Sequence, residues 1–277
     1  MNEFSGTGER LLASRSPSEA SFVWRKLSEH RTALWRTASI GLFFLVWEIA
    51  GRIPISFAFP TFLETLRAFV TMTLDGSFVA AYAETLQPLV IGIAISAVIG
   101  IGLGIVMGLS RFAEWLAAPV FIVLQAAPMA ALIPLITFVY GIGLVSKTLA
   151  VIMLALPVIV LNGYKAVRNA NPSLVAMCYS FQGNWWQRIT KIIIPDASPV
   201  IFAGLRLGLA AGFIGVILAE LLITPTGIGD LITYHRSVAD YPEMYAAVVS
   251  IILVSTLTLA ALEAFELRVL RPEKRKS

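Results

Sequence analysis

Apolar residues run for membrane-spanning lengths six times along the chain, over 35–51, 83–108, 118–140, 145–163, 198–222 and 245–267. A helix needs roughly 20 predominantly apolar residues to cross the hydrocarbon core, so these runs predict six transmembrane helices. The third contains Pro119, Pro128 and Pro134. Each proline removes a helix hydrogen bond, which predicts a kinked or broken span, tolerated at membrane depth where protein or a water-filled cavity lines it. Between the first two runs, 52–82 holds Pro54, Pro60, Asp75 and Gly76 around Phe62, Leu66, Phe69 and Val70 at helical spacing. That pattern predicts a short helix at the membrane surface. Residues 1–32 have no apolar stretch and include Glu3, Glu9, Glu19 and Glu29, so they read as a tail and not as a signal peptide.

Composition agrees. Hydrophobic residues make up 57% of the 277, charged residues 14%, and the mean hydropathy is +0.81. Soluble domains carry about a quarter charged residues. The fold class is therefore all-α, a polytopic membrane protein embedded in a lipid bilayer. One cysteine, Cys178, excludes an internal disulfide, and His30 and His235 lie far apart, so no metal site and no cofactor are expected.

Charge sets the orientation. Of 21 Lys and Arg, only Arg52, Arg67, Lys147 and Arg236 fall in one set of alternate segments, and Arg206 lies just inside the fifth span. The remaining sixteen fall in the other set, together with both termini. By the positive-inside rule both termini and residues 164–197 are cytoplasmic. The net charge of +4 is thereby explained by topology, and no nucleic-acid partner is expected.

Two spans carry small residues at a period of four. The second has Gly92, Ser96, Gly100, Gly104 and Gly108; the fifth has Gly204, Gly208 and Gly212, with Ala211, Gly215 and Ala219 beside them. Such rows let backbones approach closely in lipid, so helix packing is the expectation, with a sliding or pathway-lining face as the alternative. No phosphate loop, zinc-protease motif or nucleophile elbow is present, so the chain hydrolyses no nucleotide itself. Gly141-Ile142-Gly143 and Gly227-Ile228-Gly229 stand at span ends and read as tight turns.

The most polar interruption is 172–195. Asn171 is placed to cap a helix beginning at Pro172 and running to about Phe181. Gly183 is expected to end it in the left-handed conformation. Asn184 and Gln187 then make a capping-box pattern for a second helix, closed by Pro195. Its Trp185, Ile189, Ile192 and Ile193 share a face opposite Gln187, Arg188 and Lys191. Two uses fit: an amphipathic pair resting on the inner leaflet, or a compact knob for a protein partner. Glu220, near the outer end of the fifth span, is either an intramembrane functional carboxylate or one solvated at the interface. Arg206 can snorkel to the cytoplasmic face.

Residues 172–195 resemble the cytoplasmic loop of binding-protein-dependent ABC transporter permeases, whose Glu-Ala-Ala-x-x-x-Gly signature docks onto the ATPase. The flanks resemble the nitrate/sulfonate/taurine-type branch, which includes pyrimidine-precursor and riboflavin importers. The likeness runs through Ala127-Pro128-Met129-Ala130-Ala131-Leu132-Ile133-Pro134-Leu135, Tyr140-Gly141-Ile142-Gly143 and Ser146-Lys147. It continues through Pro195-Asp196-Ala197-Ser198-Pro199, Gly204-Leu205-Arg206, Ala219-Glu220 and Gly227-Ile228-Gly229, covering about 80–270. The signature itself departs: Ala176-Met177-Cys178 stands where Glu-Ala-Ala is expected, and Gln182 where the glycine is expected, with Gly183 one position later.

The resemblance implies a type I-like importer permease in a bacterial cytoplasmic membrane, without catalytic residues. Its domains would be a tail at 1–32, a first helix and outer segment at 33–79, a permease domain at 80–270 and a basic tail at 271–277. It implies a second permease copy forming a homodimer, an ABC ATPase subunit dimer below and an extracytoplasmic solute-binding protein above. Ala176, Met177, Cys178, Ser180, Phe181, Gln182, Gly183, Trp186, Gln187 and Pro195 would dock the ATPase. Glu220, Pro128, Pro134, Gly141, Gly143, Gly227 and Gly229 would belong to the gate or pathway. A secondary transporter or channel working without an ATPase is the alternative; it needs charged residues at the membrane midplane, which this chain nearly lacks.

Overall fold

A computed structural model describes Trp35 and residues 37–53, 58–223 and 225–270, and the tails expected at 1–32 and 271–277 lie outside the described residues. Every regular element among the described residues is helical. The chain divides into two compact units, Met1–Glu64 and Thr65–Ser277.

In the first unit, α1 (37–52) is followed by a turn at 58–61 that leads into α2 (Phe62–Leu74). The Trp47 indole N–H donates to the Pro60 carbonyl at 3.2 Å, and its ring lies against Phe59 and Phe62. Thr61 and Glu64 cap the start of α2 reciprocally, each side chain accepting the other's backbone N–H. Glu48 pairs with Arg52 at 2.8 Å and accepts from the Leu63 N–H, where a carboxylate also suits the helix dipole. A Cβ on Gly51 would come within 2.7 Å of the Thr61 backbone, so this residue is glycine because of close approach.

The second unit contains the rest of α2, then α3 (Ser77–Leu109), α4 (Arg111–Ala126), α5 (Met129–Tyr140) and α6 (Leu144–Arg168). Next come α7 (Pro172–Ser180), α8 (Trp185–Arg188), a π-helical turn (Ile189–Ile193), α9 (Ile194–Leu222), α10 (Ile228–Ser237) and α11 (Tyr241–Leu270). Among the described residues, four helical stretches are long and apolar enough to cross a membrane: Ser77–Leu109, Leu144–Arg168, Trp185–Leu222 and Tyr241–Arg268. The described part of α1 is shorter than the roughly 20 residues a crossing needs.

The third span is broken, as its prolines predict: it is two helices, α4 and α5, bent by 99° at Ala127–Pro128. The break falls there because the residue before a proline is pushed out of the helical region, and Ala127 is extended at φ −65°, ψ 139°. Pro195 does not close a helix, since 185–222 is continuous. A proline ring meets the carbonyl four residues back, and the wide turn over Ile189–Ile193 absorbs that conflict. The short helix expected within 52–82 is α2, which buries Thr65, Ala68 and Met72 and leaves Leu66 and Val70 exposed.

The core is organised around α6, against which α3 and α9 both pack, and these two also meet each other where Gly212 lies against Ile93 and Leu89. The two small-residue rows make this possible. A Cβ on Gly104 would meet the Val160 carbonyl at 2.9 Å, and one on Gly215 the Ala150 carbonyl at 2.8 Å. Gly100 of α3 and Gly208 of α9 both lie against Ile159. With lipid as solvent, such contact provides the attraction that hydrophobic burial provides in water.

A matched pair of substitutions tests this. Gly104→Ala should cost about 1–3 kcal/mol because backbone, not a flexible side chain, occupies the space. Gly102→Ala, which meets nothing within 4 Å, should be neutral or stabilising by about 0.5–1 kcal/mol through helix propensity. Thermal unfolding of the detergent-solubilised protein separates the two.

Candidate functional site

Two sites lie at opposite ends of α9. The first is the segment leading into its N-terminal end. Asn171 caps α7 by accepting from the Ser173 N–H at 3.0 Å, and Pro172 takes the first helical position. The helix ends in a Schellman motif: Gly183 N–H donates to the Cys178 carbonyl at 2.9 Å, and Gln182 N–H to the Tyr179 carbonyl at 2.9 Å. The left-handed residue is Gln182 at φ 58°, not Gly183 as expected. This explains why a glycine belongs at 182, since a side chain there costs roughly 1–2 kcal/mol. Gly183 is needed for a different reason. A Cβ there would collide with the Cys178 sulfur, the larger group that stands in place of the signature's alanine.

The capping box is complete. Asn184 accepts from the Gln187 N–H at 2.8 Å, and Gln187 accepts from the Asn184 N–H at 2.9 Å. The segment is tied down at two places. Asp196 accepts from the Asn171 N–H at 2.8 Å, and Ile189 and Ile193 pack with Ala166, Val167, Ala197 and Ile201. Of the residues singled out beforehand, Cys178 is buried and Gly183 half-buried. Ala176, Met177, Ser180, Phe181, Gln182, Trp186, Gln187 and Pro195 are exposed. Asp196, which anchors the segment, was not singled out; its place beside Pro195 in the matched stretch was the available signal.

The second site is a buried polar cluster at the C-terminal end of α9. Glu220 is 2% exposed and is not solvated at an interface. Its Oε1 receives the Lys147 ammonium at 2.9 Å, and the Thr85 hydroxyl donates to the carboxylate at 2.9 and 3.0 Å. Oε2 accepts the Gly229 N–H at 3.0 Å. Lys147 also donates to the carbonyl and hydroxyl of Thr226, at 3.1 and 2.9 Å, using all three of its donors. The Thr85 hydroxyl accepts the Ile228 N–H at 3.0 Å. One carboxylate thus joins α3, α6, α9 and the start of α10.

The turn at 227–229 is shaped to this carboxylate. Gly227 has φ 93°, and a Cβ on it would fall on the Glu220 carboxyl group. A Cβ on Gly229 would sit 2.5 Å from the Glu220 Cβ. Gly141 and Gly143, at φ 80° and 141°, form the turn from α5 into α6. There the Lys147 N–H donates to the Gly143 carbonyl and the Ser146 hydroxyl to that of Gly141. Pro128 precedes α5 at the 99° break, and Pro134 is exposed within α5. Lys147 had been counted as a charge in an outer segment; it is 2% exposed. Thr85 and Thr226 were missed because nothing in their local sequence marks them.

Arg206 does not simply snorkel. It pairs with Glu263 and Glu266 of α11, both at 3.3 Å. No group of His, Cys, Asp and Glu among the described residues could hold a metal ion.

The family described as "Binding-protein-dependent transport system inner membrane component" matches residues 96–271. The riboflavin transport system permease protein of Chloroflexus aurantiacus is 35% identical over 58% of this chain and 59% of its own. The taurine transport system permease protein of Escherichia coli is 25% identical over 84% of this chain and 88% of its own. Among solved structures, an amino acid ABC transporter with histidines shares the fold with a TM-score of 0.56 and 18% identity. That match covers 73% of this chain and 98% of the other.

Glu220→Gln should destabilise the protein by about 3–5 kcal/mol, because it leaves the Lys147 ammonium buried without its counter-charge. Lys147→Met combined with Glu220→Gln should recover part of that loss in thermal unfolding. Equal midpoints for the single and double variants would show that the charge pair is not what matters. At the other end, Gln182→Gly should stabilise the α7 turn by about 1 kcal/mol, read as slower hydrogen exchange of the amides at 181–183.

Proposed function

The chain belongs to the family of binding-protein-dependent transport system inner membrane components, and we propose that its exposed segment 172–195 is where an ATPase docks. It is a multi-pass permease subunit of an ABC importer in the inner membrane and forms a translocation pathway for a small solute. It is not an enzyme; ATP hydrolysis belongs to a partner ATPase, and a solute-binding protein completes the importer. In this reading both termini and 172–195 face the cytoplasm, by the Lys and Arg distribution. A second copy of the chain completes the pathway, and the solute is a small molecule of the flavin, taurine or related class.

The observation that carries the docking proposal is the continuity of 185–222. From Trp185 to Glu220 an unbroken helix extends roughly 50 Å at 1.5 Å per residue. A force on the knob therefore acts on one rigid element, which ends in the cluster holding α3, α6 and α10 together. ATP-driven closure of the ATPases would displace 172–195 and tilt α9 with everything packed on it. Two arrangements of the bundle would then exchange population according to which one the closed ATPases contact better. Glu220, Gly227 and Gly229 act here by keeping the far end of α9 rigid, so that a tilt is not dissipated as local bending. The 99° break at Pro128 and the glycine turn at Gly141 and Gly143 bound α5, whose Ile133 packs with Ala150 of α6 and Ala219 of α9, which makes Pro128, Pro134, Gly141 and Gly143 the candidates for hinges when that body tilts.

Wild-type protein should co-purify with its ATPase and drive ATP-dependent uptake. Gly183→Pro, or deletion of 173–194 in a protein that still inserts, should abolish both. Uptake that continues without ATP would refute the importer mechanism, and co-purification that survives the deletion would move docking elsewhere.

A further inference from the structure

The exposed surface of 172–195 contains no carboxylate: the segment has no Asp or Glu, and its only charges are Arg188 and Lys191. Its large exposed side chains are mainly aromatic and apolar. Phe181 is 81% exposed, Trp186 67%, Tyr179 59%, Trp185 53% and Met177 49%. The two indoles stand edge to face with centroids 4.8 Å apart, so they form one block.

The placement of these groups selects between a bilayer and a protein. Helix geometry of about 100° per residue puts Tyr179 roughly 160° around α7 from both Met177 and Phe181. Cys178 points into the core, and the small Ala176 and Ser180 lie on the crown between the two apolar flanks. A leaflet surface contacts an amphipathic helix along one side only. A helix apolar on opposed flanks with a small-residue crown fits a cleft that holds it from both sides.

Arg188 adds a charge preference. Its guanidinium lies over the Tyr179 ring, 5.2 Å from the centroid, and its Nε is buried without a hydrogen-bond partner among the described residues. Nε itself is enclosed by the chain, so a carboxylate on the rim of the cleft, beside the Tyr179 flank, would pair with the positive charge of the half-buried guanidinium as a whole.

Resting on the reading of 172–195 as the ATPase-docking element, we infer that the partner ATPase holds it in a cleft with apolar walls and a carboxylate-bearing rim, and that acidic groups on the knob are not part of the contact. Ala176 and Gln182 then fit the partner's chemistry: an acidic residue at 176 would bring negative charge toward a negative rim.

The test measures binding of the co-purifying ATPase to the full chain in lipid nanodiscs. Phe181→Ser and Tyr179→Ser should each weaken binding about tenfold or more, as loss of a buried aromatic anchor does. Arg188→Glu should weaken it comparably, and Ala176→Glu by about threefold or more through like-charge juxtaposition. Ala176, Tyr179 and Phe181 are exposed and Arg188 is half-buried, and an unchanged elution profile of each variant checks that the fold survives. Tighter binding by Ala176→Glu, with the aromatic variants unchanged, would overturn the apolar cleft while leaving the docking reading intact. Binding unaffected by every variant and by the 173–194 deletion would overturn both. Quenching of Trp185 and Trp186 by brominated lipid that added ATPase does not relieve would assign the patch to the membrane instead.

Discussion

Backbone-to-backbone contact of α6 with both α3 and α9 is the constraint on which the rest of the bundle depends. In lipid there is little gain from burying one apolar surface against another, so helices hold together through close, complementary contact. Gly104 against the Val160 carbonyl and Gly215 against the Ala150 carbonyl show how close that contact is. Ile159 is held between Gly100 and Gly208, so a single side chain registers both neighbours at once. A three-helix core of this kind resists sliding and is suited to moving as one piece.

The two ends of α9 are built on opposite principles. At one end, the buried polar groups are satisfied: Lys147 and Thr85 both bond to Glu220, and Thr226 with the Ile228 and Gly229 N–H groups completes the set. A buried charge pair adds little net stability over an apolar filling, but it specifies one arrangement, because every other leaves a charge uncompensated. At the other end, the surface is open and aromatic, and its polar groups are spent on local caps at Asn171, Asn184 and Gln187. One end fixes geometry within the chain. The other leaves apolar surface available to a partner.

Local signals were read well where chemistry acts over a few residues. Asn171-Pro172 and Asn184 with Gln187 start helices as anticipated, since caps involve neighbours within one turn. The break near Pro128 was also visible, although its 99° size was not. Position 182 is instructive. The family signature asks for glycine there, the glycine next to it drew attention, and the backbone still places the left-handed turn at Gln182. The Schellman hydrogen bonds to the Cys178 and Tyr179 carbonyls determine which residue is left-handed, not which residue finds it easiest.

The sequence by itself determined a helical membrane protein, its apolar spans, the small-residue rows and the capped segment before α9, because hydropathy and capping are properties of adjacent residues. It also marked Glu220 as unusual without saying whether water reached it. Only the tertiary structure decided that Lys147, 73 positions earlier, is its buried partner, and that Thr85, 135 positions earlier, completes the cluster. Lysine at a span end reads as an interfacial charge whenever its neighbours are considered alone. Whether it turns inward depends on an acceptor brought close by the packing of α6 against α9, and that proximity has no trace in local sequence.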